Sequence, residues 1–194
     1  MSRETILAAV RAHQGEPAPL PSLPSFPSLP SFQSLLERFR IVLEQVGGRW
    51  MMGSPGVDLG EIIGSHYPDA QRIVSTVNEP PDSTFPIAAE SAPADLVQVQ
   101  LAIVRGRIGA AENAADWVDD AQLPHRALPF VAEHLVVLLS AGDIVTDMHA
   151  AYAALAGQKW GYGVFISGPS KTADIEQSLV IGAQGPRSLL VVID

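Results

Sequence analysis

The chain contains no cysteine, no cluster of basic residues and no long apolar run. Without cysteine it can form no disulfide and can supply no thiolate to a zinc ion or an iron–sulfur cluster. Its net charge of −9 and its scattered Lys and Arg residues argue against a nucleic-acid groove, which needs clustered cations. The longest apolar runs have about half a dozen residues, far short of the ~20 that span a bilayer. We therefore predict a cytoplasmic protein that binds neither nucleic acid nor membrane, and that holds no metal or cofactor in this chain.

Proline is concentrated near the amino terminus, where six prolines lie between Pro17 and Pro30. Such a run cannot form a helix or a central strand, and it favours the extended polyproline conformation. We predict two parts, with residues 1–31 forming a helix plus a proline-rich arm and residues 32–194 forming a single α/β domain. The arm is interpreted as a stiff tether, and the alternative is a docking peptide for an aromatic groove on a partner.

Apolar periodicity predicts that helices and strands alternate along the rest of the chain. Helices are predicted over Phe32–Val46 and Val57–Ser65, and from Asp143, as the N-cap, to Leu155. Strands are predicted over Arg49–Met52, Arg72–Thr76, Glu133–Leu139, Val164–Ile166 and Ser188–Ile193. The later strands are apolar at nearly every position, which is typical of strands in the middle of a helix-covered parallel sheet. The predicted fold is therefore α/β, with an open, mostly parallel sheet and helices on both faces.

The segment Ser167–Asp174 is the strongest candidate for a binding site. It follows a predicted strand, and it places a lysine between two hydroxyls just before a predicted short helix, Ala173–Ile181. Ligands of open α/β sheets bind at loops that leave the carboxyl ends of strands, and backbone N–H groups there help a lysine to bind an anion. We expect a small anionic ligand, and the alternative is a solvent-exposed loop lysine. The predicted ligand-binding residues are Ser167, Gly168, Ser170, Lys171, Thr172 and Asp174, with Gly182 and Gly185 from the next turn.

Glu112 is the candidate catalytic residue. It lies in the alanine-rich stretch Gly109–Val118, where a carboxylate with few polar neighbours could act as an acid or a base. The alternative is a glutamate at a solvent-facing turn. The histidines at positions 125, 134 and 149 lack the spacing of metal ligands, and neither a nucleophile elbow nor a dinucleotide-binding glycine motif is present. The motifs alone therefore leave the enzyme class open.

The eleven residues Ile166–Glu176, which read ISGPSKTADIE, carry a resemblance to a known family. Together with Gly182, Gly185-Pro186 and the terminal apolar strand, they resemble the lactate-utilization protein C family, whose members are built on the LUD domain. The resemblance covers roughly residues 95–194. It implies a fold of the NagB/RpiA/CoA-transferase group and a role in L-lactate catabolism beside two partners, one cysteine-rich and one carrying iron–sulfur clusters. A chain without cysteine is consistent with a component that holds no cluster itself.

Two positions depart from the family's usual pattern. The family usually has Ala-Glu-Thr-Gly where this chain has Ala111-Glu112-Asn113-Ala114, and it usually has histidine where Gln184 stands. If these positions line a site, a missing glycine and a missing imidazole would weaken or change its chemistry. The departures therefore favour ligand binding without turnover.

Three hypotheses about function follow. The first is an accessory component of an L-lactate oxidation system, which binds a small anion at residues 167–174 with Glu112 facing the pocket. The second is a stand-alone enzyme of the same fold group, acting on a phosphorylated or carboxylated small molecule. This second hypothesis rests on analogy of fold alone. The third is a protein-interaction module whose proline-rich arm docks on a partner.

Overall fold

A computed structural model describes residues 2–15, 18–19, 21, 34–53, 58–77, 85–172 and 180–194. The chain divides into two compact units, Met1–Ser31 and Phe32–Asp194. In the first unit, helix α1 (Arg3–Ala12) begins after Ser2, whose hydroxyl accepts a hydrogen bond from the N–H of Thr5 at 3.3 Å. None of the residues of α1 is buried. Most of the predicted proline-rich arm lies outside the described residues.

The second unit contains the remaining helices and strands. Its helices are α2 (Leu35–Gln45), α3 (Leu59–His66), α4 (Pro93–Leu96), α5 (Leu128–Val131) and α6 (Met148–Leu155). Its strands are β1 (Arg49–Met52), β2 (Ile73–Ser75), β3 (Leu101–Arg105), β4 (Ile108–Ala110), β5 (Ala115–Asp119), β6 (His134–Leu139), β7 (Ile144–Val145), β8 (Gly163–Ile166), β9 (Lys171–Thr172), β10 (Val180–Ile181) and β11 (Ser188–Ile193).

A five-stranded parallel sheet, in the order β1-β11-β6-β3-β2, forms the centre of the second unit. Successive residues of a strand point to opposite faces, so strands that are apolar throughout supply a core on each side. On β6, Val137 packs in the core that contains Phe39 of α2, and Val136 packs in the core that contains Ile62 of α3. The predicted fold class, an α/β protein with a mostly parallel sheet between helices, is confirmed.

The segment Val164–Ile166 does not belong to the central sheet, contrary to prediction. It is part of β8, which pairs antiparallel with β5 in a four-stranded sheet of order β7-β4-β5-β8. Phe165 lies opposite Trp117, with the two ring centroids 4.8 Å apart, while Ile166 packs against the main core. Both faces of β8 are therefore partly covered. A short apolar run looks the same in the sequence whether its neighbours are parallel or antiparallel.

The helix predicted with Asp143 as its N-cap begins four residues later, with Asp147 as its N-cap. Ile144 and Val145 form β7, which pairs with β4, and Asp147 caps α6 by accepting the N–H of Ala150 at 2.8 Å. Asp143 and Asp147 are equally suitable caps by residue type, and the β-branched pair between them favours a strand.

The prediction of a short helix over Ala173–Ile181 is wrong at the carboxyl end of that segment, where Val180 and Ile181 form a strand. Residues 173–179 lie outside the described part of the chain. Val180 and Ile181 form β10, which pairs antiparallel with β9 in a two-stranded ribbon.

Candidate functional site

The loop that follows β8 lies beside the amino ends of the central strands. The N–H of Ser170 donates to the carbonyl of Pro186 at 2.9 Å, two residues before β11 begins. The ammonium of Lys171 donates to the carbonyl of Val46, three residues before β1 begins. The prediction that this loop extends the carboxyl end of a central strand is therefore wrong, because β8 belongs to the other sheet.

Lys171 closes the carboxyl end of α2. Its partner Val46 is the C-cap of that helix, and a cation is favoured there because the last carbonyls lack helical partners. Gly168 approaches the same carbonyl with a φ of +73°, and a Cβ at this position would lie 2.5 Å from the oxygen of Val46. Only glycine fits this close approach. An ammonium has three donors, and Val46 accepts from one of them.

Hydrogen bonds and close contacts connect the loop to two neighbouring turns. They involve four of the predicted residues: Ser167, Ser170, Gly182 and Gly185. The hydroxyl of Ser167 donates to the carbonyl of Asn113 at 2.6 Å, which places this loop next to the turn that carries Glu112. The carbonyl of Ser170 accepts the N–H of Gly182 at 3.0 Å. A Cβ at Gly185 would lie only 3.0 Å from the Cβ of Ser170. The structure thus brings Ser170, Gly182 and Gly185 together.

Of the last two predicted residues of the loop, the structure describes Thr172 but not Asp174. Thr172 is half-buried and lies opposite Val180 in the ribbon of β9 and β10. Asp174 lies outside the described residues, so its part in the site stays a prediction.

Glu112 is exposed and lies at the amino end of α6. Its carboxylate accepts the N–H of Met148 at 3.0 Å, beside the cap residue Asp147. Hydrogen bonds from the N–H of Ala150 and the hydroxyl of Thr146 lower the pKa of Asp147. Two carboxylates thus complement the positive end of this helix. The position of Glu112 fits the alternative of a solvent-facing turn, and its catalytic role stays a prediction.

A second group of polar side chains lies at the same edge of the central sheet, and sequence analysis missed it. His134 and Ser188 are paired in register at the start of β6 and β11, with Nδ1 of the histidine 2.8 Å from Oγ of the serine. Oγ of Ser188 is 3.5 Å from the hydroxyl of Tyr67, which accepts a hydrogen bond from Arg49 at 3.4 Å. The available signal was a polar residue at the first position of each of two apolar strands.

The pKa of His134 is lowered from its usual value. Burial is the largest cause, and the positive charges of Arg187 and Arg49 act in the same direction, while the charge of Glu133 opposes them. The guanidinium of Arg187 is itself paired with Glu133 at 2.9 Å. These effects together favour the neutral form of the imidazole.

The LUD domain model matches residues 41–193. The chain belongs to the LUD domain family. The resemblance found in the sequence is thereby confirmed, and it extends further towards the amino terminus than the motifs indicated.

Two relatives of this LUD-domain chain are informative. Lactate utilization protein C of Bacillus pumilus (strain SAFR-032) is 33% identical over 104 residues, which cover 50% of this chain and 43% of the relative. The match thus spans less than half of that relative's length. A crystal structure of a DUF162 family protein from Deinococcus radiodurans is 17% identical, with a TM-score of 0.58, covering 82% of this chain and 95% of the other. This second likeness supports the α/β fold.

Both departures from the family's pattern lie in turns of this LUD domain. Ala114, where the family usually has glycine, has a φ of +50° and is buried. Residues other than glycine rarely adopt this left-handed conformation. Gln184, where the family usually has histidine, is exposed between Gly182 and Gly185. The backbone at position 114 therefore has a conformation that suits glycine, although the residue there is alanine.

Within the described residues, no helix combines the length and the apolar character that crossing a membrane requires. The prediction that the chain is cytoplasmic stays a prediction.

Proposed function

We propose that this chain is an accessory component of an L-lactate utilization system, in which lactate is oxidised to pyruvate. The observation that carries the proposal is membership of the LUD domain family over residues 41–193, together with the similarity to a lactate utilization protein C. The chain has no cysteine, so we place the iron–sulfur clusters of such a system in a partner and expect a cysteine-rich partner beside it.

We further propose that the loop of residues 167–174 binds a small anionic ligand of that system. Lys171 is exposed, and its ammonium is positioned in advance by the carbonyl of Val46. A cation that is already held in place loses less conformational freedom when it binds an anion. Two residues with hydroxyl groups, Ser170 and Thr172, flank the lysine in the sequence. An ammonium held in this way can form a charge-assisted hydrogen bond with a small carboxylate.

The binding proposal is tested by thermal unfolding of the purified protein with L-lactate, pyruvate, sugar phosphates or nucleotides. A ligand at 100 times its dissociation constant adds about 2.7 kcal/mol of stability, which raises the Tm of a chain of this size by roughly 5–10 °C. We expect such a rise with L-lactate or pyruvate. Lys171→Met should abolish it while lowering the Tm of the free protein slightly, because a helix cap is lost.

The matched control is Lys159→Met, since Lys159 is the other lysine of the chain and is also exposed. This variant should keep both the Tm and the ligand response. An equal response in Lys171→Met and wild type would remove the loop from the proposal. A response to sugar phosphates alone would favour the second hypothesis, a stand-alone enzyme.

A further inference from the structure

We propose that Arg49, Tyr67, His134 and Ser188 form a separate site that binds the carboxylate of a small monoanion. The four side chains come from the amino ends of β1, β6 and β11 and from the residue that follows α3. A single line of contacts connects them: 3.4 Å from Arg49 to Tyr67, 3.5 Å from Tyr67 to Ser188 and 2.8 Å from Ser188 to His134. They form a connected polar group rather than four isolated surface residues.

The hydrogen bonds of this group have a consistent direction. A guanidinium only donates, so the hydroxyl oxygen of Tyr67 accepts from Arg49, and its own proton is free for Ser188. The hydroxyl of Ser188 can then donate to Nδ1 of His134. On this basis we assign the proton of the neutral imidazole to Nε2. The hydroxyl protons of Tyr67 and Ser188 are thus used within the group, and the guanidinium of Arg49 and the Nε2–H of His134 remain as donors for a ligand.

The charge balance of the group matches a monoanion. Arg187, the other nearby cation, is paired with Glu133 at 2.9 Å. Arg49 is partnered by the hydroxyl of Tyr67, and among the described residues no carboxylate lies within ion-pair distance of it. One positive charge is thus left to be neutralised. A planar guanidinium pairs well with a carboxylate, and a phosphate dianion would leave one negative charge in excess.

The group is open to solvent on one side and supported on the other. Arg49 is exposed, and His134 and Ser188 are half-buried, whereas Tyr67 is only 6% exposed and packs against the imidazole with ring centroids 5.2 Å apart. A small anion can therefore reach the guanidinium while the hydroxyls beneath stay ordered.

This site is distinct from the loop that contains Lys171. His134 points to the same face of β6 as Val136, which belongs to the core against α3. Lys171 contacts the end of α2, which covers the opposite face. Variants of the two sites can therefore be tested independently, and one proposal can fail without the other.

The test follows the imidazole resonances of His134 by NMR during titrations with sodium acetate, sodium L-lactate, sodium phosphate and sodium chloride. A His134→Gln variant identifies the resonances. We expect acetate and lactate to shift them saturably and to raise the pKa of the histidine, since a nearby anion favours its charged form. Chloride at equal ionic strength should produce no saturable shift.

Two variants and two controls decide the assignment. Arg49→Gln should weaken acetate binding about tenfold or more, because a charge-assisted hydrogen bond is lost, and Ser188→Ala should weaken it less. Arg72→Gln, just before β2 at the opposite edge of the sheet from β1, and Lys159→Met should bind acetate as wild type does. Unchanged binding by Arg49→Gln, an equal response to chloride, or saturation with phosphate but not acetate would each overturn the proposal.

Discussion

At the scale of single residues, two fully buried aspartates on β5 have opposite surroundings. The carboxylate of Asp119 is bonded to the guanidinium of Arg107 and to the N–H of Ala121. The carboxyl group of Asp116 has no hydrogen-bond partner for either oxygen among the described residues. Burial raises the pKa of Asp116 well above its usual value. The protein therefore keeps an unpaired acid in its core, at a cost in stability.

Replacing Asp116 by an apolar residue tests how much this buried acid lowers the stability of the protein. Asp116→Val should raise the free energy of unfolding at pH 7 by about 1–4 kcal/mol, because an apolar side chain of similar size replaces an unpaired buried group. The measurement is urea unfolding. Asp119→Val is the matched control, and it should lower the free energy of unfolding by about 1–3 kcal/mol, because it leaves Arg107 without its partner.

The gain from Asp116→Val should depend on pH in a defined direction. The pKa of Asp116 is higher in the folded state than in the unfolded state, so the wild type is relatively most stable below the unfolded value of about 4. Its stability then falls as the pH rises towards the folded pKa. The advantage of the variant should thus be larger at pH 7 than at pH 4. An equal advantage at both values would contradict a raised pKa.

The residue identities of the loop could be predicted from the sequence, but their partners could not. The motif Ser170-Lys171-Thr172 identifies a charged turn, whereas the carbonyl that holds the lysine lies 125 residues earlier in the chain. The partner of Glu112 lies 36 residues away. Such contacts depend on how strands from distant parts of the chain pair, and local pattern carries no information on that pairing.

At the scale of elements, the turn between β4 and β5 contains the one positive φ angle among the described non-glycine residues. Ala114 has a φ of +50° there, and Asn113 supports the turn by accepting the N–H of Ala115 at 3.2 Å. A left-handed conformation costs an alanine about 1–2 kcal/mol. The turn therefore stores strain that glycine would relieve.

Glycine substitutions at two adjacent alanines measure this strain. Ala115→Gly removes a buried methyl group and loosens a strand, so it should cost about 1–2 kcal/mol. Ala114→Gly loses the same methyl group but relieves the left-handed strain, so its stability should stay within about 1 kcal/mol of wild type. Chemical denaturation compares the two. Equal losses at both positions would show that the turn is unstrained.

Elements were predicted well where a long apolar run allows one interpretation. β6 and β11 are apolar at every position after the first, and their sequences correctly predict that both lie in the middle of the sheet. The start of α6 was misplaced because Asp143 and Asp147 are both suitable caps. β8 was assigned to the wrong sheet because four residues carry too little periodicity.

At the scale of the whole molecule, the fold class followed from the strands that are apolar on both faces. The division into a parallel sheet and a smaller four-stranded sheet did not follow, because it depends on strand register. Because β8 belongs to the smaller sheet, the segment that contains Lys171 lies at the amino edge of the central sheet and not at its carboxyl edge. The proposed ligand site therefore lies away from the edge where ligands of open α/β sheets usually bind.

The most direct test of the proposed role in lactate utilization is growth of the source organism on L-lactate as sole carbon source. The gene for this chain is deleted in a strain whose other L-lactate-oxidising enzymes have been removed. The account predicts that growth on L-lactate is lost while growth on pyruvate is unchanged, and that the wild-type gene restores it but Lys171→Met does not. Undiminished growth on L-lactate without the gene would contradict the proposed function.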